Sequence, residues 1–165
     1  MMHQAFIALG SNLENPVAQV EKAFIALTHL PKTKLIQKSS LYRTAPVDCI
    51  DDPQNPVPDF INAVAELQTE LTPHDLLAAL HRIENNAGRL RPYINAPRVL
   101  DCDLLVYEHT VINSPQLTLP HPRMHTRGFV LLPLFEIAPQ LSVPIHGKIA
   151  QLITPSLSKD IKKLT

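Results

Sequence analysis

The chain has 165 residues, enough for one compact domain whose core needs no disulfide or structural metal. Lysine plus arginine and aspartate plus glutamate both number 15, so no overall field favours nucleic acid or an anionic membrane, and a basic site must be local. With no basic leader, no apolar run of membrane-spanning length and only Cys49 and Cys102 as cysteines, the expectation is a single domain, 1–165, cytoplasmic, monomeric and with free thiols.

Gln4 to Leu9 reads as a buried strand, turned by Gly10, Ser11 and Asn12 towards a helix that starts near Asn15-Pro16. Val20, Phe24 and Leu27 recur at helical spacing. Residues 34–44 look like a second strand and Phe60 to Leu71 like a third, with a proline-rich loop between them. Thr72-Pro73-His74-Asp75 is a helix start, and the apolar stripe Leu76, Leu77, Leu80, Ile83 and Ala87 stops at Gly88. An irregular loop, 89–97, leads to a strand from Asp103 to Tyr107. The tail adds a helix around Phe129 to Ile137 and a weaker one near Ile149 to Leu157. This order implies a ferredoxin-like α+β sandwich, a mostly antiparallel sheet with helices packed on it and one face left for loops and ligands.

Asp101 and Asp103 are separated by one residue. On a strand they share a face, roughly 6–7 Å apart at the backbone, where they can bridge hard cations. A solvated strand face is the plain alternative. Arg89, Arg91 and Arg98 lie in the same stretch, and guanidinium groups opposite metal-binding carboxylates suit polyphosphate transfer. His121 and His125 have helical metal-pair spacing, but Pro120 and Pro122 break any helix through His121, and no further ligand completes a zinc set. An extended His121 donating to phosphate and a loop histidine without a role both fit. Phe60 and Phe129 fit either core or stacking positions.

Taken together, IALGSNL, LYRTAPV, FINAV, RIENNAGR, APRVLDCDLL, LTLPH and RGFVLLPLFEIAP resemble the 6-hydroxymethyl-7,8-dihydropterin pyrophosphokinase family over most of the chain. Its most specific element is Pro97-Arg98-x-x-Asp101-x-Asp103. The resemblance implies transfer of a pyrophosphoryl group from ATP to a reduced pterin in folate biosynthesis, with AMP released. It implies that Asp101 and Asp103 hold two magnesium ions. It also implies that Glu84, Arg89, Arg98, His121 and Arg127 lie at the triphosphate, Arg98 on a closing loop, and that the adenine sits near Leu104 and Thr118. Asn62 would read the pterin edge between Phe60 and Phe129, with Thr44 and Val47 lining the same pocket.

The chain departs from the family pattern at Ile94, Asn95 and Ala96 in the second loop, at Gln116 near the adenine and at Pro122 after the histidine. Closure of that loop would then rest on Tyr93 or Ile94. A ferredoxin-like RNA-binding module is the competing class; neutral charge, three tyrosines and no tryptophan argue against it.

Overall fold

The centre of the sheet is β1 (His3–Ser11), whose interior residues from Ala5 onwards are buried on both faces. In the structure, a computed structural model describing residues 1–13, 15–45, 58–88 and 99–164, β1 pairs antiparallel with β4 (Phe60–Thr69) on one side and β5 (Asp101–Tyr107) on the other. Outside β4 lie β2 (Thr33–Lys38) and β3 (Tyr42–Thr44), and β10 (Ile161–Lys163) extends the edge beyond β3. Two short ladders stand apart, β6 (Ile112–Asn113) with β7 (Thr118–Leu119) and β8 (Ser142–Val143) with β9 (Gly147–Lys148). The expected α+β architecture is borne out, with the main sheet antiparallel throughout.

Alternation along β1 and β4 sends side chains to two separate cores. Ile7, Leu9, Ala63 and Leu67 pack under α1 (Pro16–Thr28) and α2 (Pro73–Ala87), against Val20, Phe24, Leu76 and Leu80. Phe6, Ala8 and Val64 face the opposite way, towards Met124 and α3 (Gly128–Ile137). The expectation that helices would leave one face free is corrected here. Nearly every residue of α3 is apolar, so it has to be buried, and it covers part of the second face.

Several boundaries also move. The single strand expected over 34–44 is two, because the Ser39 N–H bonds the Val64 carbonyl while Ser39 Oγ accepts the Val64 N–H, both at 2.9 Å, which replaces a rung of the ladder. Gly10 and Ser11 belong to β1 rather than to a turn, since pairing with β4 continues to Ser11 opposite Ile61. Thr72 caps α2 as expected, its hydroxyl accepting the Asp75 N–H at 3.1 Å. Asn15 precedes α1 but makes no side-chain cap bond, its backbone being left-handed at φ 63°. The weak helix expected near 149–157 is α4 (Ile149–Leu152) and α5 (Pro155–Ser158), the second started by Pro155 and capped by Thr154. At the start of α3, a Cβ on Gly128 would overlap the Leu157 carbonyl, so this close packing requires glycine.

Candidate active site

Three strands carry the site on one rung. Gly10 of β1 is registered with Asn62 of β4 on one side and with Asp101 of β5 on the other; two residues along, Ala8 stands between Val64 and Asp103. Period-two alternation puts all of these on the α3 face of the sheet. The centre strand contributes only a hydrogen and a methyl group there, leaving a floor on which a flat ligand can lie. Two strand spacings, about 10 Å, separate the Asn62 and Asp101 backbones. A cavity of about 200 Å³ stands on this floor, lined by Gly10, Thr44, Phe60, Asn62, Asp101, Asp103, Arg127 and Phe129 among others.

The two sides of the cavity differ in character. On the β3/β4 side, Asn62 is 6% exposed and its amide nitrogen is buried without a hydrogen-bond partner among the described residues. A buried donor left unpaired is costly in a folded protein and marks a place where a ligand acceptor can bind. Phe60 and Phe129 supply aromatic faces to the same cavity, and Thr44 is buried on β3 opposite Phe60. The Arg127 guanidinium lies 5.5 Å from the centre of the Phe129 ring, linking the aromatic side to the charged one.

On the β5 side the field is negative. The Cys102 side chain, 2% exposed, points into the core between Asp101 and Asp103, and its thiol is pushed up by burial and then by Glu84, Asp103 and Asp101. Glu84 reaches the strand from α2 and accepts the Cys102 backbone N–H at 2.8 Å. Among the described residues no group of three or more histidine, cysteine or acidic side chains forms a closed metal cage. Two cavity-lining carboxylates are nevertheless a hard-oxygen donor set, and magnesium is commonly held by one or two carboxylates together with substrate phosphates and water.

His121 stands beside this acidic pair. Its backbone N–H bonds the Leu105 carbonyl at 2.9 Å, and its Nδ1 accepts the Arg123 N–H at 3.2 Å, which leaves the proton of the neutral ring on Nε2. Burial lowers its pKa; Asp103 pulls the other way, and Arg127 and Arg123 lower it further. His121 is therefore an uncharged N–H donor near neutral pH.

Of the residues singled out from the sequence, Thr44, Phe60, Asn62, Asp101, Asp103, Arg127 and Phe129 meet around one cavity. Leu104 is buried in the core under α1 and α2, so only its backbone can meet a ligand, and Thr118 is half-buried on β7. Val47, Arg89 and Arg98, with Arg91, Tyr93 and Ile94, lie outside the described residues. Sequence reasoning missed two residues. Gly10 spaces Asn62 from Asp101, and buried Ser11 donates to the Val99 carbonyl at 2.5 Å, anchoring the chain just before β5. Their signal was the Gly-Ser pair at the end of an apolar strand, which reads equally well as a turn.

The family model described as 7,8-dihydro-6-hydroxymethylpterin-pyrophosphokinase matches residues 6–139. This chain belongs to that family. The proteins named 2-amino-4-hydroxy-6-hydroxymethyldihydropteridine pyrophosphokinase from Haemophilus influenzae and Pseudomonas aeruginosa are 45% and 38% identical to it. The first match covers 92% of both chains, the second 99% of this chain and 98% of the relative. The solved Plasmodium falciparum HPPK-DHPS, wild type with pterin and p-hydroxybenzoate, matches at a TM-score of 0.76 and 16% identity over 99% of this chain. That match covers 46% of the Plasmodium chain, so this chain spans under half of that protein's length, and the likeness speaks for the fold alone. As a member of the pyrophosphokinase family, the chain is an enzyme transferring a pyrophosphoryl group to hydroxymethyldihydropterin in folate biosynthesis, with ATP as the donor the family implies.

Proposed function

We propose that the cavity divides this reaction between its two sides, with the pterin held by Asn62, Phe60 and Phe129 and the ATP triphosphate by His121, Arg127 and the acidic pair. The observation that carries this reading is the rung Asn62–Gly10–Asp101, where an amide donor with no partner among the described residues and a carboxylate flank a residue without a side chain. A pterin lying over Gly10 would satisfy the Asn62 amide and stack between the two phenylalanines. Its hydroxymethyl group would then extend towards Asp101 and Asp103.

Asp101 and Asp103 would hold the magnesium ions. When bound, these would neutralise phosphate charge and ease loss of the hydroxyl proton of the pterin. The chain's own residues would do the rest. Arg127 would place a fixed positive charge at the phosphates, its guanidinium steadied by the Phe129 ring. His121 Nε2–H would donate without adding charge. Glu84 would keep the β5 backbone in place behind the acidic pair, beside any role at the triphosphate that the family resemblance implies. Arg89 and Arg98 complete the proposed phosphate set from the sequence.

Net charge zero and a chain in which, among the described residues, no helix is long and apolar enough to cross a membrane support a cytoplasmic enzyme of small-molecule substrates. We read it as a monomer. The test is to incubate the protein with ATP, magnesium and hydroxymethyl-dihydropterin and identify the nucleotide product, for the parent chain and for Asp101→Asn and Asn62→Leu. AMP from the parent, lost turnover with retained pterin binding in the first variant and lost pterin binding in the second support the division. ADP as product would contradict pyrophosphoryl transfer.

A further inference from the structure

Next to the phosphate side of the cavity, two imidazole rings lie face to face. His125, in the 3₁₀ turn Met124–Thr126, and His146, between β8 and β9, have ring centroids 3.9 Å apart and planes 13° apart. Nδ1 of His125 is buried and has no hydrogen-bond partner among the described residues, so a polar group is held there without a bond to explain it.

The element that delivers His146 is held in place from outside. Its ladder has two residues on each strand, too few to be stable alone. Val143 and Ile149 are buried and anchor its ends. Its tip is strained: Ile145 is β-branched, 77% exposed and left-handed at φ 73°. An exposed side chain cannot offset that strain, whereas the seating of the next residue on His125 can.

The turn beneath this pair carries the anion-facing groups of the site, with His121 before it and Arg127 at its end. Met124, fully buried, fixes its inner side. Its internal backbone bonds are long, Met124 N–H to the His121 carbonyl at 3.3 Å, Thr126 to Arg123 at 3.2 Å and Arg127 to Met124 at 3.3 Å. The side-chain bonds that supplement them, Thr126 Oγ1 to the Arg123 carbonyl at 3.1 Å and Arg123 N–H to His121 Nδ1 at 3.2 Å, are also within the turn, so contacts from outside help to fix it. The stack with His146 adds an outer contact to those the turn makes with α3 and α4.

We propose that His125 and His146 are positioning residues of this pyrophosphokinase: stacked on each other they clamp the 121–127 turn with His121 and Arg127 set for the triphosphate, and the clamp loosens when His146 takes up a proton. The inference rests on the reading of those two side chains as triphosphate contacts. The charged groups around the stack offer His146 no compensation for a proton. Arg123 and Arg127 flank His125 on its own turn, Lys148 on β9 is exposed, α4 has no titratable side chain, and the one carboxylate of α3, Glu136, is engaged by Ser40 and Tyr42. Burial, and then the adjacent His125, hold the His146 ring below the ordinary histidine value. Protonation therefore works against the stack. The clamp is fully seated above the ordinary value and is lost as pH falls from there through the depressed one.

The test measures KM for ATP, kcat and pterin affinity from about pH 5.5 to 8 for the parent, His146→Ala, His146→Phe and His121→Ala. His146→Ala is expected to raise KM for ATP about fivefold at the alkaline end with pterin affinity unchanged. His146→Phe keeps a flat ring that cannot take a proton; it should bring KM within about twofold of the parent and lack the parent's rise in KM at acid pH. If His146→Ala only lowers the melting temperature and leaves KM alone, the pair is merely structural and the proposal is overturned. An acid-side rise in His146→Phe equal to the parent's would overturn it too. If His121→Ala raises KM while His146→Ala does not, the clamp alone is wrong; an unchanged KM in His121→Ala removes the phosphate reading and the clamp with it.

Discussion

Gly10 and Asn62 face each other across β1 and β4 so closely that a Cβ on Gly10 would stand 3.0 Å from Asn62 Oδ1. Alanine there is compatible with an extended strand, and the atom it presses is the end of a side chain, so the fold should survive. The amide would not keep its place. Gly10→Ala should weaken pterin binding by about 1 kcal/mol, through a misaligned hydrogen bond, while moving the melting temperature little. Pterin affinity equal to the parent's, measured by fluorescence titration, would mean that the amide of Asn62 is not aimed at the ligand.

Asn62→Leu separates function from stability in a second way. The buried amide nitrogen has no partner among the described residues, so replacing the side chain with an apolar one removes an uncompensated polar group from the free protein. Unfolding in urea should show a variant as stable as the parent or more so. Pterin binding should fall by roughly 1–3 kcal/mol with nucleotide binding retained. A destabilised variant that loses both ligands equally would assign Asn62 to the architecture instead.

The sequence disclosed most of the scaffold because its apolar periods are strong. Val20, Phe24 and Leu27, and Leu76, Leu80 and Ile83, mark the buried faces of α1 and α2, and the alternation in FINAVAELQTEL is that of β4. The candidate site was legible where chemistry and spacing coincide, as in Asp101-x-Asp103, whose two carboxylates line one cavity. Gly10 was not, because its role lies in a cross-strand register that a linear pattern does not contain. β10 was missed for a related reason: Ile161–Lys163 has little apolar signal and is a strand only because β3 offers it a free edge. The break at Ser39 depends on a hydroxyl bonded to a distant backbone amide, which propensity cannot foresee.

Glu136 gives a pH prediction of definite sign. Burial raises its pKa, but the Tyr42 hydroxyl at 2.7 Å, the Ser40 hydroxyl at 2.8 Å, the Ser40 backbone N–H and the more distant Lys163 outweigh that, and the net shift is downward. The unfolded chain therefore takes up this proton more readily than the folded one. Its contribution is fully present above the ordinary glutamate value and disappears as pH falls through the depressed folded value. Urea unfolding of the parent and of Glu136→Gln should show their stabilities converging between about pH 5 and pH 2.5. A gap between them that stays constant down that range would mean the carboxylate charge contributes nothing.

The acidic side of the cavity can be resolved into two residues that line it and one that stands behind them. Asp101 and Asp103 line the cavity, whereas Glu84 meets the strand from α2 and holds the Cys102 N–H between them. If the two aspartates hold magnesium with the phosphates, Asp101→Ala or Asp103→Ala should lower turnover by well over tenfold, since such ions contribute several kcal/mol to the transition state; the pterin, held on the other side of Gly10, should still bind. Glu84→Gln keeps an oxygen for the Cys102 N–H and removes one negative charge. It should leave stability close to the parent's and shift mainly the magnesium concentration needed for half-maximal turnover. Glu84→Ala also loses a hydrogen bond to a charged group, worth about 1.5–3 kcal/mol, and should destabilise the chain as well. Magnesium titrations of turnover, alongside urea unfolding of each variant, distinguish the two roles. If Glu84→Gln abolished turnover as fully as the aspartate variants do, with its stability intact, the carboxylate would belong among the groups that meet the substrate, not behind them. If neither aspartate variant lost as much as about tenfold, the metal site would have to lie elsewhere.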